Sequence, residues 1–230
     1  MHYCFVQSYS GAARTALSTS IIFDLDSCLC AADELGPHLY ESAFQAIRDA
    51  NAGLLSEERL SQAFAECWRF PFDEIATRYG FSAAMRRSGF RAFSAAVVST
   101  SMHGYGDLDV LRELDAQLFL VTSGFRRLQE SKIAALGIAE LFKAIRIDAI
   151  DDQQPRGKRR IFAELLDQFR LKAGETIVVG DNPDSEIAAG NSLGMVTVQI
   201  LRPGVCLGGN ASHTITTLGA LKEIALRRGG

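Results

Sequence analysis

Two carboxylates one residue apart, Asp24 and Asp26, close the apolar run Ile21-Ile22-Phe23. A second apolar run, Ile177-Val178-Val179-Gly180, leads into Asp181, Asn182, Pro183, Asp184, Ser185 and Glu186. A third, from Gln117, ends in Thr122 and Ser123. Runs rich in β-branched and aromatic residues read as buried strands. Open α/β sheets bind their ligands beyond the carboxyl ends of such strands. If the three strands are parallel, their polar ends converge on one cleft. Two acid clusters facing each other there repel unless a cation sits between them. Hard oxygen ligands at low count favour Mg²⁺, which keeps several waters and leaves room for a phosphate oxygen.

Simpler roles compete for some of these residues. Thr122 and Ser123 also suit the N-cap of a following helix, Ser123 better than Thr122. Asn182 with Pro183 makes a good cap and first-turn pair, after which Asp184 and Glu186 sit well at a positive helix terminus. Asp181 precedes that cap and is the better ligand, with Glu186 and then Asp184 as supporting acids. A cation to balance them is available in Pro155-Arg156-Gly157-Lys158-Arg159-Arg160. Lys158 is preferred over Arg156, because a compact ammonium suits a point contact in a crowded anionic site.

The elements that must position these groups follow from periodicity. After the first strand, the region from about Ala32 to Gly104 is helical in pattern. Leu39, Ala43, Ala46 and Ile47, then Leu60, Phe64 and Cys67 or Trp68, are spaced as apolar helix faces. Pro71, Gly80 and Gly89 punctuate it, and Ala95 to Val98 is an ambiguous short strand. From Gly106 helices alternate with strands: a helix over Asp107 to Leu114, a strand Gln117 to Thr122, a helix Arg126 to Leu136 and a strand Ala144 to Ile147. A helix from about Arg159 to Phe169, a strand Thr176 to Gly180, a helix Ser185 to Leu193 and a strand Val196 to Leu201 follow. This alternation predicts an α/β, Rossmann-like three-layer fold with a parallel sheet. The core occupies residues 19–31 and 106–230, a small α-helical domain is inserted at 32–105, and residues 1–18 form an N-terminal tail.

With 230 residues and 47% hydrophobic content, the chain can bury a full core. A net charge of −3 removes the electrostatic case for nucleic acid or a membrane surface, so a small molecule is the expected partner. Five cysteines with no CxxC pair point to neither a disulfide framework nor a zinc site, and fit a reducing cytoplasm. The start of the chain lacks the pattern of a secretory signal. Nothing in the sequence reports the oligomeric state.

Together, Phe23-Asp24-Leu25-Asp26, Val121-Thr122-Ser123-Gly124, a basic residue at Lys158 and Gly180-Asp181 with acids following resemble the four motifs of the haloacid dehalogenase superfamily. The resemblance runs from about Ile21 to Leu201 and is to the phosphatase-like branch with a helical C1-type cap inserted after the first motif. It implies a Mg²⁺-dependent phosphatase of small phosphomonoesters. Asp24 is implied to be the nucleophile that forms an aspartyl-phosphate, and Asp26 the acid and base for leaving group and water. Thr122, with Ser123, binds the phosphoryl group, and Lys158 neutralises it. The implied metal ligands are Asp24, the backbone carbonyl of Asp26 and Asp181.

The chain departs from the pattern at Ser27-Cys28, where the family commonly has Gly or a small polar residue followed by Thr, and in lacking the usual Lys-Pro at the third motif. Cys28 reads as a small buried residue. Asp26 argues against a dehalogenase, and an insert without lysine argues against a phosphonate hydrolase that uses a cap lysine. A phosphomutase, or a phosphate- or metal-binding regulatory protein that has lost turnover, remains an alternative. Of the histidines only His38 lies early enough in the insert to reach the cleft mouth. The insert's arginines, Arg48, Arg59, Arg69, Arg78, Arg86, Arg87 and Arg91, are the candidates for substrate recognition.

Overall fold

The computed structural model describes residues 19–152, 154 and 156–226; the expected tail at 1–18 and Pro155 lie outside the described residues. Strands β1 (Ser20–Phe23), β2 (Gln117–Gly124), β3 (Ala144–Ala149), β4 (Thr176–Gly180), β5 (Val196–Ile200) and β6 (His213–Ile215) form one sheet. Its order is β3-β2-β1-β4-β5-β6, with every neighbouring pair parallel. β1 is bordered by β2 on one side and β4 on the other, so the strand order reverses at the end of β1. That reversal is where sheets of this kind open a crevice.

Both sheet faces are covered, which is why the central strands are apolar throughout instead of alternating. Ile21, Phe23, Leu120, Val179 and Val198 pack on one face with Ile133 of α6 (Arg126–Leu136). Ile22, Phe119, Val121 and Val178 pack on the other with Ile161, Phe162 and Leu165 of α7 (Lys158–Phe169). The result is the expected three-layer α/β core.

The insert after β1 carries four α-helices, α1 (Glu41–Asp49), α2 (Glu57–Glu66), α3 (Phe72–Arg78) and α4 (Ala83–Ala95). Ser56 and Ser82 cap α2 and α4, accepting from the backbone N–H groups of Arg59 and Met85. Their buried faces, including Ala43, Ile47, Leu60, Phe64, Ile75, Met85 and Phe93, form a separate apolar cluster that Phe125 and Leu128 at the start of α6 join. Pro71 and Gly80, at φ +70°, bound α3 as punctuation should. Gly89 does not: it lies inside α4, where a Cβ would stand 2.5 Å from the Phe72 ring and 2.8 Å from Ile47. Its small size serves helix packing.

Several expected elements differ. The segment Ala95 to Val98 forms no strand, and Val98 N–H donates instead to Ser131 Oγ (2.8 Å). The helix over Asp107 to Leu114 shrinks to α5 (Val110–Glu113). The helix over Ser185 to Leu193 divides into a π-turn, Pro183–Ile187, and α8 (Ala188–Ser192). Pro183 has no N–H to give, and the N–H of Ile187 reaches five residues back to Asn182 O (3.4 Å). Among the described residues, β6 and α9 (Leu221–Leu226) follow beyond the alternation read from the sequence.

Candidate active site

The acids sit where β1 stops. Asp24 N–H donates to Val179 O of β4 (2.9 Å), which extends the sheet pairing by one residue and holds the Asp24 side chain at the switch point. The chain then turns sharply: the N–H groups of Cys28, Leu29 and Cys30 all point to Leu25 O, and Ser27 takes φ 55°. A left-handed residue at 27 explains why glycine is common there. Cys28 is fully buried, with Sγ 3.7 Å from Val179 O, and burial pushes its thiol pKa well up, so it is a packing residue.

Asp24, Asp181 and Glu186 bring one carboxylate oxygen each within 4.8 Å of one another. Lys158, the first residue of α7, enters this group: Nζ lies 2.8 Å from Asp24 Oδ1 and donates to Glu186 Oε2 at 2.8 Å. Three carboxylates and one ammonium leave an excess of negative charge in a largely buried space. Burial pushes the Asp24 pKa up to about 8; Lys158 opposes the rise, and Glu186 and Asp181 add to it. Asp181 rises to about 7, mainly through burial and then Glu186. For Lys158 burial works against the charge, but Asp24 and Glu186 outweigh it and the pKa is raised. Clustered hard oxygen donors with unbalanced charge fit a divalent cation such as Mg²⁺.

Glu186 reaches this position because the π-turn folds it back. Its Oε1 accepts from the N–H of Asn182 (2.6 Å), and Gly180 leaves the space its side chain occupies; a Cβ there would run into Glu186. Asp184 is not drawn in. It is exposed, outside the three-acid group, and its N–H is accepted by Asn182 Oδ1 (2.9 Å).

Thr122 is buried at the end of β2 and lines the same cleft as Ser123. Ser123 does not cap α6. β2 continues through Gly124, Phe125 takes the cap position, and the carboxylate of Asp151 accepts from Arg126 N–H (2.9 Å) in place of a side-chain cap. Arg156 also lies elsewhere, exposed and paired with Glu164 (2.9 Å). His38 pairs with Glu41 (3.3 Å) on the surface, outside the cleft lining.

The Asp26 side chain lies outside the three-acid group. Its Oδ1 accepts from Lys132 Nζ (2.7 Å) and its Oδ2 from Gln129 Nε2 (3.0 Å), both on α6. Neither residue was among those singled out by motif. The available signal was a lysine and a glutamine three residues apart on the apolar side of an amphipathic helix, where Ile133 also lies. Burial opposes the Lys132 charge, but Asp26 outweighs it, so the pKa is raised.

These groups line a cleft of about 640 Å³ whose opposite wall comes from the four-helix insert, with Tyr40, Trp68, Arg69, Phe70, Phe72 and Phe93. Tyr40 stacks on Trp68 with ring centroids 4.2 Å apart. Of the insert's arginines, Arg69 lines the cleft, whereas Arg48 pairs with Glu57, Arg78 with Glu66 and Glu74, and Arg86 donates to the backbone carbonyls of Phe81 and Ala76.

Residues 19–194 match the family model described as haloacid dehalogenase-like hydrolase. The chain is similar to a glyceraldehyde 3-phosphate phosphatase of Methanopyrus kandleri, with 31% identity over 205 residues, 80% of this chain and 84% of that protein. The protein of the same name from Methanocaldococcus jannaschii is 26% identical over 196 residues, 79% of this chain and 84% of the relative. Among solved structures, the magnesium-bound hydrolase YfnB of Bacillus subtilis superposes with a TM-score of 0.60 at 18% identity, covering 90% of this chain and 98% of that one. A phosphatase from Thermococcus onnurineus gives 0.58 at 22%, covering 90% and 97%. The two structures share the fold, and the family match together with the sequence relatives carries the assignment: the chain belongs to the haloacid dehalogenase-like hydrolases, as a phosphatase-like member.

Proposed function

We propose that the protein hydrolyses small phosphomonoesters through a phosphorylated Asp24, with Mg²⁺ as cofactor. The observation that carries this reading is the placement of Asp24 against Lys158 and among Asp181 and Glu186, with Asp26 held apart from them. An Asp24 oxygen attacks phosphorus, and the bond to the ester oxygen breaks with its electron pair moving to that oxygen. Asp26 supplies the proton that turns it into a neutral alcohol. Asp26 then takes a proton from a water that attacks the Asp24 phosphoryl group and releases inorganic phosphate. Thr122 and Ser123 bind phosphoryl oxygens, and Lys158 neutralises them while orienting Asp24. The carboxylates of Asp24 and Asp181 and the backbone carbonyl of Asp26, with Glu186 in support, would hold the cation, which would favour the ionised forms of Asp24 and Asp181 and offset phosphoryl charge.

The helical insert acts as a cap. Its aromatic wall excludes water and limits substrate size, and Arg69 is its cation toward the substrate. The names of the two archaeal relatives make glyceraldehyde 3-phosphate the first substrate to try. The free thiols at Cys28, Cys30, Cys67 and Cys206 support a reducing, cytoplasmic setting. Among the described residues no helix is long and apolar enough to cross a membrane.

The test is phosphate release from a panel of triose and sugar phosphates, phosphoglycolate and nucleotides, with Mg²⁺ and with EDTA. Magnesium-dependent release from a small ester is expected. A flat panel overturns the reading in favour of a binding protein, and an isomeric sugar phosphate without free phosphate would make the protein a phosphomutase.

A further inference from the structure

Asp26 is gripped at both oxygens by one helix. Lys132 Nζ holds Oδ1 at 2.7 Å and Gln129 Nε2 holds Oδ2 at 3.0 Å. The Lys132 side chain is 1% exposed, and it forms an ion pair with the Asp26 carboxylate. An ammonium taken out of water costs several kcal/mol unless a partner compensates it, so Lys132 is stable in this position only while Asp26 faces it. The Gln129 amide is oriented as firmly. Its Nε2 also donates to Ser123 O (3.2 Å), and turning the amide over would set Oε1 against that carbonyl and the carboxylate. Gly124 makes the approach possible, since a Cβ there would stand 2.5 Å from Gln129 Nε2. Only the cap residue Phe125 separates Thr122-Ser123-Gly124 from α6, so the strand end that faces the phosphoryl group and the clamp on the acid belong to one strand–helix unit.

We infer that Lys132 and Gln129 are positioning residues for proton transfer: they fix the Asp26 carboxyl relative to the leaving oxygen without touching the substrate. This rests on the reading of Asp26 as the acid. Orientation of this kind matters most when the leaving oxygen needs a proton. An alkoxide or phenoxide depends on the acid, whereas 4-nitrophenoxide departs as a stable anion and depends on it little.

The experiment compares kcat and KM for phenyl phosphate and 4-nitrophenyl phosphate in the wild type, Asp26→Asn, Lys132→Met, Gln129→Leu and the double variant Asp26→Asn/Lys132→Met, with Mg²⁺ present and folding checked by thermal unfolding. For Lys132→Met the ratio of phenyl to 4-nitrophenyl kcat should fall about tenfold or more, with KM little changed. Gln129→Leu should move the ratio in the same direction, and supplies the test if Lys132→Met does not fold. In the Asp26→Asn background, Lys132→Met should cause no further fall, because Lys132 acts through Asp26. Equal losses on both substrates in the folded variants, or a raised KM with an unchanged ratio, would overturn the inference and leave a structural or substrate-binding role. If Asp26→Asn itself leaves the ratio at the wild-type value, it is the assignment of the acid that fails.

Discussion

Lys158 Nζ stands 2.8 Å from Asp24 Oδ1 with both side chains less than a tenth exposed. An ion pair in that setting orients the carboxylate and limits its approach to a phosphorus atom, while Glu186 holds the same ammonium from the other side. Replacing either member of the pair should therefore affect chemistry before it affects binding. Asp24→Asn should lower turnover by at least about 10³-fold, and Lys158→Met by a comparable factor. Phosphate release at saturating substrate reads both, and undiminished turnover in Asp24→Asn would exclude Asp24 as nucleophile.

The cation-free protein should lose stability as pH rises. Asp24 and Asp181 have native pKa values of about 8 and 7, each raised from 3.8 mainly by burial. Between roughly pH 4 and 8 the native state thus binds more protons than the unfolded chain, so the stability linked to these groups is present at low pH and lost through that window. Thermal unfolding in EDTA should show Tm falling from pH 5 to pH 8.5, after comparison with an Asp24→Asn/Asp181→Asn variant to remove other titrations. Added Mg²⁺ should raise Tm more at pH 8 than at pH 5, since it competes with protons for the same oxygens.

Gly180→Ala should displace Glu186. A Cβ at this position enters the space of the Glu186 side chain, which is packed under the strand end and bonded to Lys158 and to Asn182 N–H. A destabilisation of about 1–3 kcal/mol is expected, with Mg²⁺ affinity weakened as well. Denaturant unfolding and magnesium titration measure the two effects separately.

Arg202→Met should destabilise the core without removing any acid. Arg202 is buried, donates through both terminal nitrogens to Asp107 (2.8 and 2.9 Å), and donates Nε–H to Cys28 O (3.0 Å). It ties the turn after Asp26 to the start of the segment that returns from the insert. Loss of one partner from a buried pair costs about 3–5 kcal/mol; because Asp107 retains some exposure, the lower end is expected in urea unfolding.

The apolar runs before Asp24, Thr122 and Asp181 were legible in the sequence because a strand covered on both faces must be apolar along its length, and its polar ends then stand out. Lys158 was legible for a related reason: it precedes an amphipathic helix whose Ile161 and Leu165 fix which way the helix faces. The order of the strands was not, since alternation says that they are parallel but not that β1 lies between β2 and β4. Only the tertiary structure sorted Glu186 from Asp184, because the choice depends on a π-turn created by Pro183 and on the space left at Gly180. Only the fold, too, revealed Lys132 and Gln129. They stand 106 and 103 residues from Asp26 in the chain, and a buried charge is recognisable as such only once its partner is in place. Local periodicity determined which apolar strands end in polar side chains; long-range packing decided which of those ends meet and which side chains hold them in position.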